Sequence, residues 1–306
     1  MRIVSLLPSA TEMICALGLR AQLVGVSHEC DYPLDVATLP RVTRTKIAHT
    51  ASSLDIDQQV RQELAAQSAL YSLDEARLVA LRPDLLVTQS LCDVCAVAAD
   101  EVTAVACRLP AAPTVFNLQP LCLSDIFASI IALGVAADAV AAAQALHAGL
   151  TARLDAIRAR STQISMAARP RVAMLEWLHP LFDAGHWNPE LVDLAGGLPV
   201  LGRAGQPSRT LAWEALRAAD PDVIFIACCG FDIQRTVHDV TLLASHREWG
   251  DLRAVRAGRV WVADGNAYFN RPGPRILDSL EVLAHCLHPA VHPRGDATPA
   301  IQIRSK

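Results

Sequence analysis

The chain has 306 residues, with 52% hydrophobic and 19% charged side chains and a formal net charge of −4. That is enough for two ordinary cores, since single cores stop growing near about 250–300 residues, and it excludes a disordered chain. The acidic balance lacks the basic stripe that nucleic-acid binding requires.

The opening stretch, RIVSLLPSATEMICALG (2–18), reads as a strand, a polar loop and a helix carrying Glu12, stopped by a glycine. Pro8, Thr11 and Glu12 interrupt its apolar run and no small-residue cleavage site follows, so it reads as part of the fold rather than a secretion signal. The expected location is therefore cytoplasmic. No run of about 18 or more apolar residues free of charge occurs, so a membrane-embedded protein is not expected.

An apolar β-run follows at QLVGVS (22–27), leading into SHECDYP (27–33). LVALRPDLLVTQSLCDVC (78–95) then reads as a helix end, a Pro-Asp turn, a buried strand and two cysteines three apart. Another strand is expected at TVFNL (114–118). The span 121–161, rich in Ala and Leu with arginines at its end, suits one long connecting helix.

Beyond it the pattern repeats. RVAMLEWLHPLFDAGHWNPELVDLAGG (171–197) echoes the opening stretch, with Glu190 on its helix, and LRAADPDVIFIACCG (216–230) echoes 78–95. A last strand, RVWVAD (259–264), runs into DGNAYFNRPGPR (264–275). Two repeats in one order predict a duplicated α/β protein: an N-terminal lobe over 1–120, a connecting helix over 121–165 and a C-terminal lobe over 166–306, each lobe Rossmann-like with a parallel sheet.

Ligands of such sheets sit outside the carboxyl ends of the strands. If the lobes face each other, SHECDYP, QSLCDVC, EWLHPLFDAGHW (176–187), ACCGF (227–231) and DGNAYFNRPGPR line one cleft. Candidate ligand contacts there are His28, Glu176, Trp177, His179, His186, Trp187, Tyr268, Phe269, Arg271 and Arg275. The aromatic faces suit a planar ligand, the guanidinium groups suit carboxylate or phosphate, and the histidines suit a metal or a corrinoid cobalt.

The nine cysteines, without an export signal, point to a reducing compartment. Cys30, Cys92, Cys95 and Cys229, with Cys228 as a substitute, stand at strand ends and predict a metal centre. An iron–sulfur cluster is favoured over zinc, because the four are spread over three distant loops. Cys15, Cys107, Cys122 and Cys286 lie in helical patterns and read as core residues. Glu176 and Asp183 are candidate acid–base groups, but no Ser–His–Asp spacing, nucleophile elbow or phosphate-cradling loop accompanies them, so no catalytic residue is assigned.

Taken together, RIVSLLPSATEMICALG, LVGVSHECDYP, LDEARLVALRPDLLVT, ELVDLAGG, DPDVIFI and WGDLRAVRAGRVWVADGNAYF resemble the helical-backbone substrate-binding proteins, which capture cobalamin, heme and iron–siderophore complexes for importers. SHECDYP, CDVCAV, EWLHPLFDAGHW and GNAYFNRPGPR are similar to a branch described as cobalamin-binding proteins without an export signal. The resemblance implies two α/β lobes joined by a long helix, a corrinoid or other metal-complex ligand, and binding rather than catalysis. It also implies one exposed Glu per lobe for docking on a permease. Glu190 matches in the second lobe, whereas Ala76 stands at the first-lobe position with Glu75 shifted by one, which argues against importer docking. The alternatives are a cytosolic iron–sulfur or thiol-dependent enzyme on the same fold and, last, a dithiol oxidoreductase using Cys92 and Cys95.

Overall fold

The computed structural model describes residues 1–48, 50–66, 70–90, 97, 99–298 and 300–303. The chain divides into two units, residues 1–120 with 124–149, and residues 121–123 with 150–306.

The first unit contains β1 (Ile3–Ser5), α1 (Pro8–Ala16), β2 (Leu23–Val26), β3 (Thr43–Thr45), α2 (Ser53–Ala65), β4 (Tyr71–Leu73), α3 (Glu75–Leu81), β5 (Leu85–Gln89), α4 (Ala99–Arg108) and β6 (Thr114–Leu118). Two helices follow, α5 (Leu123–Ala136) and α6 (Val140–Ser161). The second unit holds β7 (Arg171–Leu178), β8 (Leu181–Asp183), α7 (Asn188–Leu194), β9 (Leu198–Pro199), α8 (Trp213–Ala219), β10 (Val223–Ile226), α9 (Ile233–Ala244), α10 (Arg253–Arg256), β11 (Val260–Val262), α11 (Ile276–Leu287) and β12 (Ile301–Ile303).

The duplication read in the sequence is present in the sheets. In the first unit the order β2-β1-β5-β6 is parallel throughout. In the second, β9, β7, β10 and β11 are likewise parallel neighbours. To this repeated core the second sheet adds β8 beside β7 and β12 beside β11, both antiparallel, so the parallel sheet expected there is a mixed one. The central strands are apolar without alternation because helices cover both faces of such a sheet; Ile3, Leu86, Val87, Ile224, Phe225 and Ile226 are all fully buried.

The Pro-Asp turns have the same job in both units. The helix before each turn ends on a left-handed residue, Arg82 (φ 44°) or Asp220 (φ 35°). The following aspartate then meets the residue that opens the adjacent strand. Asp84 Oδ2 accepts from the Arg2 amide at 2.6 Å and the Asp84 amide donates to Arg2 O at 2.8 Å. Asp222 Oδ2 accepts from the Arg171 amide at 2.9 Å and its own amide donates to Arg171 O at 2.8 Å.

The connecting span is two helices rather than one. The chain turns at 137–139, with Asp138 left-handed at φ 54° and the Ala139 amide bonded to Gly134 O at 2.7 Å. Gly134 lets the helices meet, since a β-carbon there would overlap that of Ala143. A glycine at 138 relieves the left-handed backbone, so Asp138→Gly should leave stability unchanged or raise it by up to about 1 kcal/mol in chemical denaturation. In a continuous helix the same change would lower it.

Where α6 ends, Arg160 Nε lies 3.4 Å from His292 Nδ1, and His292 Nε2 lies 3.1 Å from Ser161 Oγ, which donates to Leu194 O at 2.6 Å. Arg160 can only donate, so His292 Nδ1 is the acceptor and the ring is the neutral Nε2–H tautomer. Burial, then the charge of Arg160 and the neighbouring His288 and His285, lowers its pKa from 6.5 to about 4. A histidine held neutral contributes stability that is complete above pH 6.5 and lost as pH falls toward 4. Denaturant titrations should show roughly 3 kcal/mol lost between pH 7 and 4 in the wild type, and a shallower loss in His292→Gln.

Candidate functional site

In the first unit the loop after β2 is fastened from below. Arg41 Nη1 donates to Ser27 O at 2.8 Å and to Cys30 O at 2.6 Å. His28 is half-buried, with Nδ1 2.6 Å and its amide nitrogen 2.9 Å from Thr43 Oγ1; its Nε2 is 3.8 Å from Glu29 Oε1, and its ring packs on Tyr71. Cys30 is 1% exposed. Thr11 Oγ1 lies 3.1 Å from Cys30 Sγ and 2.8 Å from Ser5 Oγ, which itself donates to Leu7 O at 2.9 Å.

In the second unit the strand ends carry an aromatic and cationic surface. Trp177, near the end of β7, packs on Phe231 with ring centroids 4.8 Å apart, and its Nε1 donates to the carbonyl of His179, which is exposed. The Arg235 guanidinium lies over the other ring of that pair, 4.8 Å from the Phe231 centroid. Arg275 lies over Tyr268 at 5.2 Å. Tyr268 is half-buried and its hydroxyl accepts from the Thr298 amide at 3.1 Å. Glu176 is half-buried, and its carbonyl accepts from the Cys229 amide at 3.0 Å.

This surface is held by close backbone contact. After β11 the segment Gly265–Phe269 forms a single wide π-type turn, opened by Asp264 accepting from the Ala267 amide at 2.7 Å. The amides of Gly265 and Asn266 both donate to Phe231 O at 3.1 Å, and Asn270 Nδ2 donates to Ala227 O at 3.0 Å. Gly265 sits where a β-carbon would overlap the Cys228 carbonyl. Gly230 takes a left-handed φ of 73°, with Cys228 buried before it and Cys229 exposed. Burial pushes the Cys228 thiol pKa far up, which makes it unreactive.

Other candidates lie deeper. Trp187 is 4% exposed, its Nε1 donating to Phe269 O at 2.9 Å, and Phe269 is fully buried against Phe225. Arg271 is 5% exposed, with Nη2 donating to Asn266 Oδ1 at 3.0 Å. His186 holds a left-handed φ of 52°, packs on Trp187, and has its pKa lowered by burial. Asp183 is fully buried and accepts from Arg209 at its amide (2.7 Å), Nη2 (2.8 Å) and Nε (3.1 Å), so it anchors a loop and is not placed for acid–base work. Glu190, half-buried, accepts from the Leu123 amide at 2.7 Å and caps α5.

Cys92 and Cys95 lie outside the described residues. Among the described residues no three His, Cys, Asp or Glu side chains converge as a metal site, so the described structure does not support the expected four-cysteine centre. Of the cysteines read as core residues, Cys286 is buried on α11 with its thiol pushed up to about 12, Cys15 is half-buried at about 11, Cys107 is exposed on α4, and Cys122 is half-buried just before α5. Sequence reasoning missed Phe231 and Arg235; the Asp232 cap at the start of α9 is the signal that places Arg235 in the first turn of that helix.

The family model for periplasmic binding proteins matches residues 3–267. The chain belongs to the periplasmic binding protein family. It is a ligand-binding protein of that family, and its relatives agree in length and fold. A vitamin B12-binding protein of Vibrio cholerae is 25% identical over 289 residues, spanning 92% of this chain and 86% of that protein. An uncharacterized ABC transporter substrate-binding lipoprotein of Bacillus subtilis is 24% identical and spans 94% of this chain and 80% of that protein. Among solved structures, the periplasmic vitamin B12-binding protein BtuF of Vibrio cholerae has a TM-score of 0.68 at 24% identity, covering 94% of this chain and 97% of that one. A periplasmic heme-binding protein of Pseudomonas aeruginosa has a TM-score of 0.72 at 22% identity, covering 100% and 99%. No helix among the described residues is long and apolar enough to cross a membrane.

A β-carbon at 265 must displace backbone, so Gly265→Ala should cost about 1–3 kcal/mol in thermal or denaturant unfolding. The Trp177–Phe231 surface should loosen with it, read as a red shift of tryptophan emission.

Proposed function

We propose that this periplasmic binding protein family member binds a corrinoid, non-covalently and without catalysing a reaction. The observation that carries the reading is the second unit's strand-end surface, where the half-buried rings of Trp177 and Tyr268 offer flat faces, buried Phe231 backs Trp177, and Arg235 and Arg275 lie over aromatic rings. A corrin is a large planar metal complex with an apolar face and, in cobalamin, a phosphate on its nucleotide arm. Aromatic rings suit the first and guanidinium groups the second. The vitamin B12-binding relatives support the corrinoid, and their coverage of nearly the whole chain supports binding as the activity. The acid–base pair once open to Glu176 and Asp183 is reduced by the engagement of Asp183 with Arg209, which favours binding over catalysis.

The iron–sulfur or zinc centre is not part of this reading, because among the described residues no group of three His, Cys, Asp or Glu side chains could hold a metal ion.

Calorimetric and spectral titration with cyanocobalamin, dicyanocobinamide and hemin tests the proposal. Micromolar or tighter binding of the two corrinoids is expected, and Trp177→Ala should weaken it roughly tenfold, as losing one aromatic face costs about 1–2 kcal/mol. Neither heat nor a spectral shift with either corrinoid would show that the ligand is of another class.

A further inference from the structure

We propose that the carboxyl edge of the first unit's sheet, at Ser90, Asn117 and Gln119, reads primary carboxamide groups on the ligand. This inference rests on the corrinoid reading above and deepens it, because corrin side chains end in carboxamides while heme carries carboxylates.

The geometry starts from the strand register. β5 and β6 pair with Gln89 opposite Leu118, and the Ser90 amide donates to Leu118 O at 3.3 Å, carrying the pairing one residue past the end of β5. Asn117 and Gln119 are two apart on the extended β6 chain and fall on one side of it. Both reach the same hydroxyl: Asn117 Nδ2 donates to Ser90 Oγ at 2.7 Å and Gln119 Nε2 donates to it at 2.5 Å.

A hydroxyl oxygen has two lone pairs and one proton. Both lone pairs of Ser90 are engaged by amide donors, so its proton remains to donate outward. Each amide spends one N–H on Ser90 and keeps its second N–H and its carbonyl oxygen for outside partners. All three residues are exposed, so the edge presents donors and acceptors side by side. A primary carboxamide carries both kinds of group and can pair with both.

A carboxylate is the poorer match: having acceptors only, it can take up the donors but turns its charge on the two amide oxygens and leaves them unpaired. No Lys or Arg occurs in 85–90 or 109–120 to offset that repulsion. Discrimination against a missing donor is steep where polar groups are left facing each other.

The test uses the full chain and a minimal change in ligand: cyanocobalamin against its b-, d- and e-monocarboxylic acids, each with one amide replaced by carboxylate, in parallel calorimetric titrations. At least one monoacid should bind tenfold or more weakly than cyanocobalamin. That difference should shrink to threefold or less in Ser90→Ala and in Asn117→Leu, exposed positions whose unchanged melting temperatures would exclude misfolding. Equal affinity for cyanocobalamin and all three monoacids, or discrimination that persists in both variants, overturns this inference and leaves the corrinoid reading standing. Failure of cyanocobalamin itself to bind overturns both.

Discussion

Each unit hangs on one aspartate that trades two hydrogen bonds with the residue opening the neighbouring strand: Asp84 with Arg2 and Asp222 with Arg171. A parallel sheet buried on both faces gives little register information through its side chains, because a slip exchanges one apolar residue for another. The polar pair at the amino end supplies what the apolar run lacks. With register fixed there, the opposite ends of the strands fall at set heights, and the loops leaving them start from set positions. The proline ahead of each aspartate forbids the helix from continuing, and the left-handed residues at 82 and 220 turn the chain into the strand.

From that frame the two units are finished differently. In the second, backbone is packed on backbone, with Gly265 against the Cys228 peptide and Asn270 tied to Ala227, so that Phe231, Tyr268, Arg235 and Arg275 are carried on a rigid base. In the first, side chains do the fastening: Arg41 grips the carbonyls of Ser27 and Cys30, and Thr43 is in reach of both Ser27 and His28. The second unit offers flat and charged groups. The first offers neutral hydrogen-bonding ones at Ser90, Asn117 and Gln119.

Much of this was legible in the sequence. The strand at 114–118 and the repeated Pro-Asp turns could be read because apolar β-runs and turn residues are local signals. Glycine stops at 18 and 196 were legible for the same reason, and both take left-handed backbone, at φ 75° and 83°. The turn at 137–139 was not, since an Ala-rich run has no periodicity to break and Asp138 is an ordinary helix residue by pattern. The antiparallel β8 was hidden by the loop-like composition of HPLFDAGHW. Roles fixed by distant partners were hidden too: Glu190 caps α5 across 67 residues of sequence, and Asp183 is neutralised by Arg209 across 26. Trp187, Phe269 and Arg271 stood in the right segments for a ligand surface, but only tertiary packing shows that they are buried while Tyr268 and Trp177 reach solvent in part.

The proposed corrinoid surface lies on the second unit's strand-end loops and the proposed carboxamide reader on the first unit's sheet edge. Hydrogen–deuterium exchange with and without saturating cyanocobalamin measures that directly. Slower exchange is expected in 176–179, 227–235 and 264–275 of the second unit and in 88–90 and 116–119 of the first, with the amino-end turns at 82–84 and 220–222 unchanged. Protection confined to the amino-end turns or to the outer helices, with the strand-end loops exchanging as in the free protein, would contradict it.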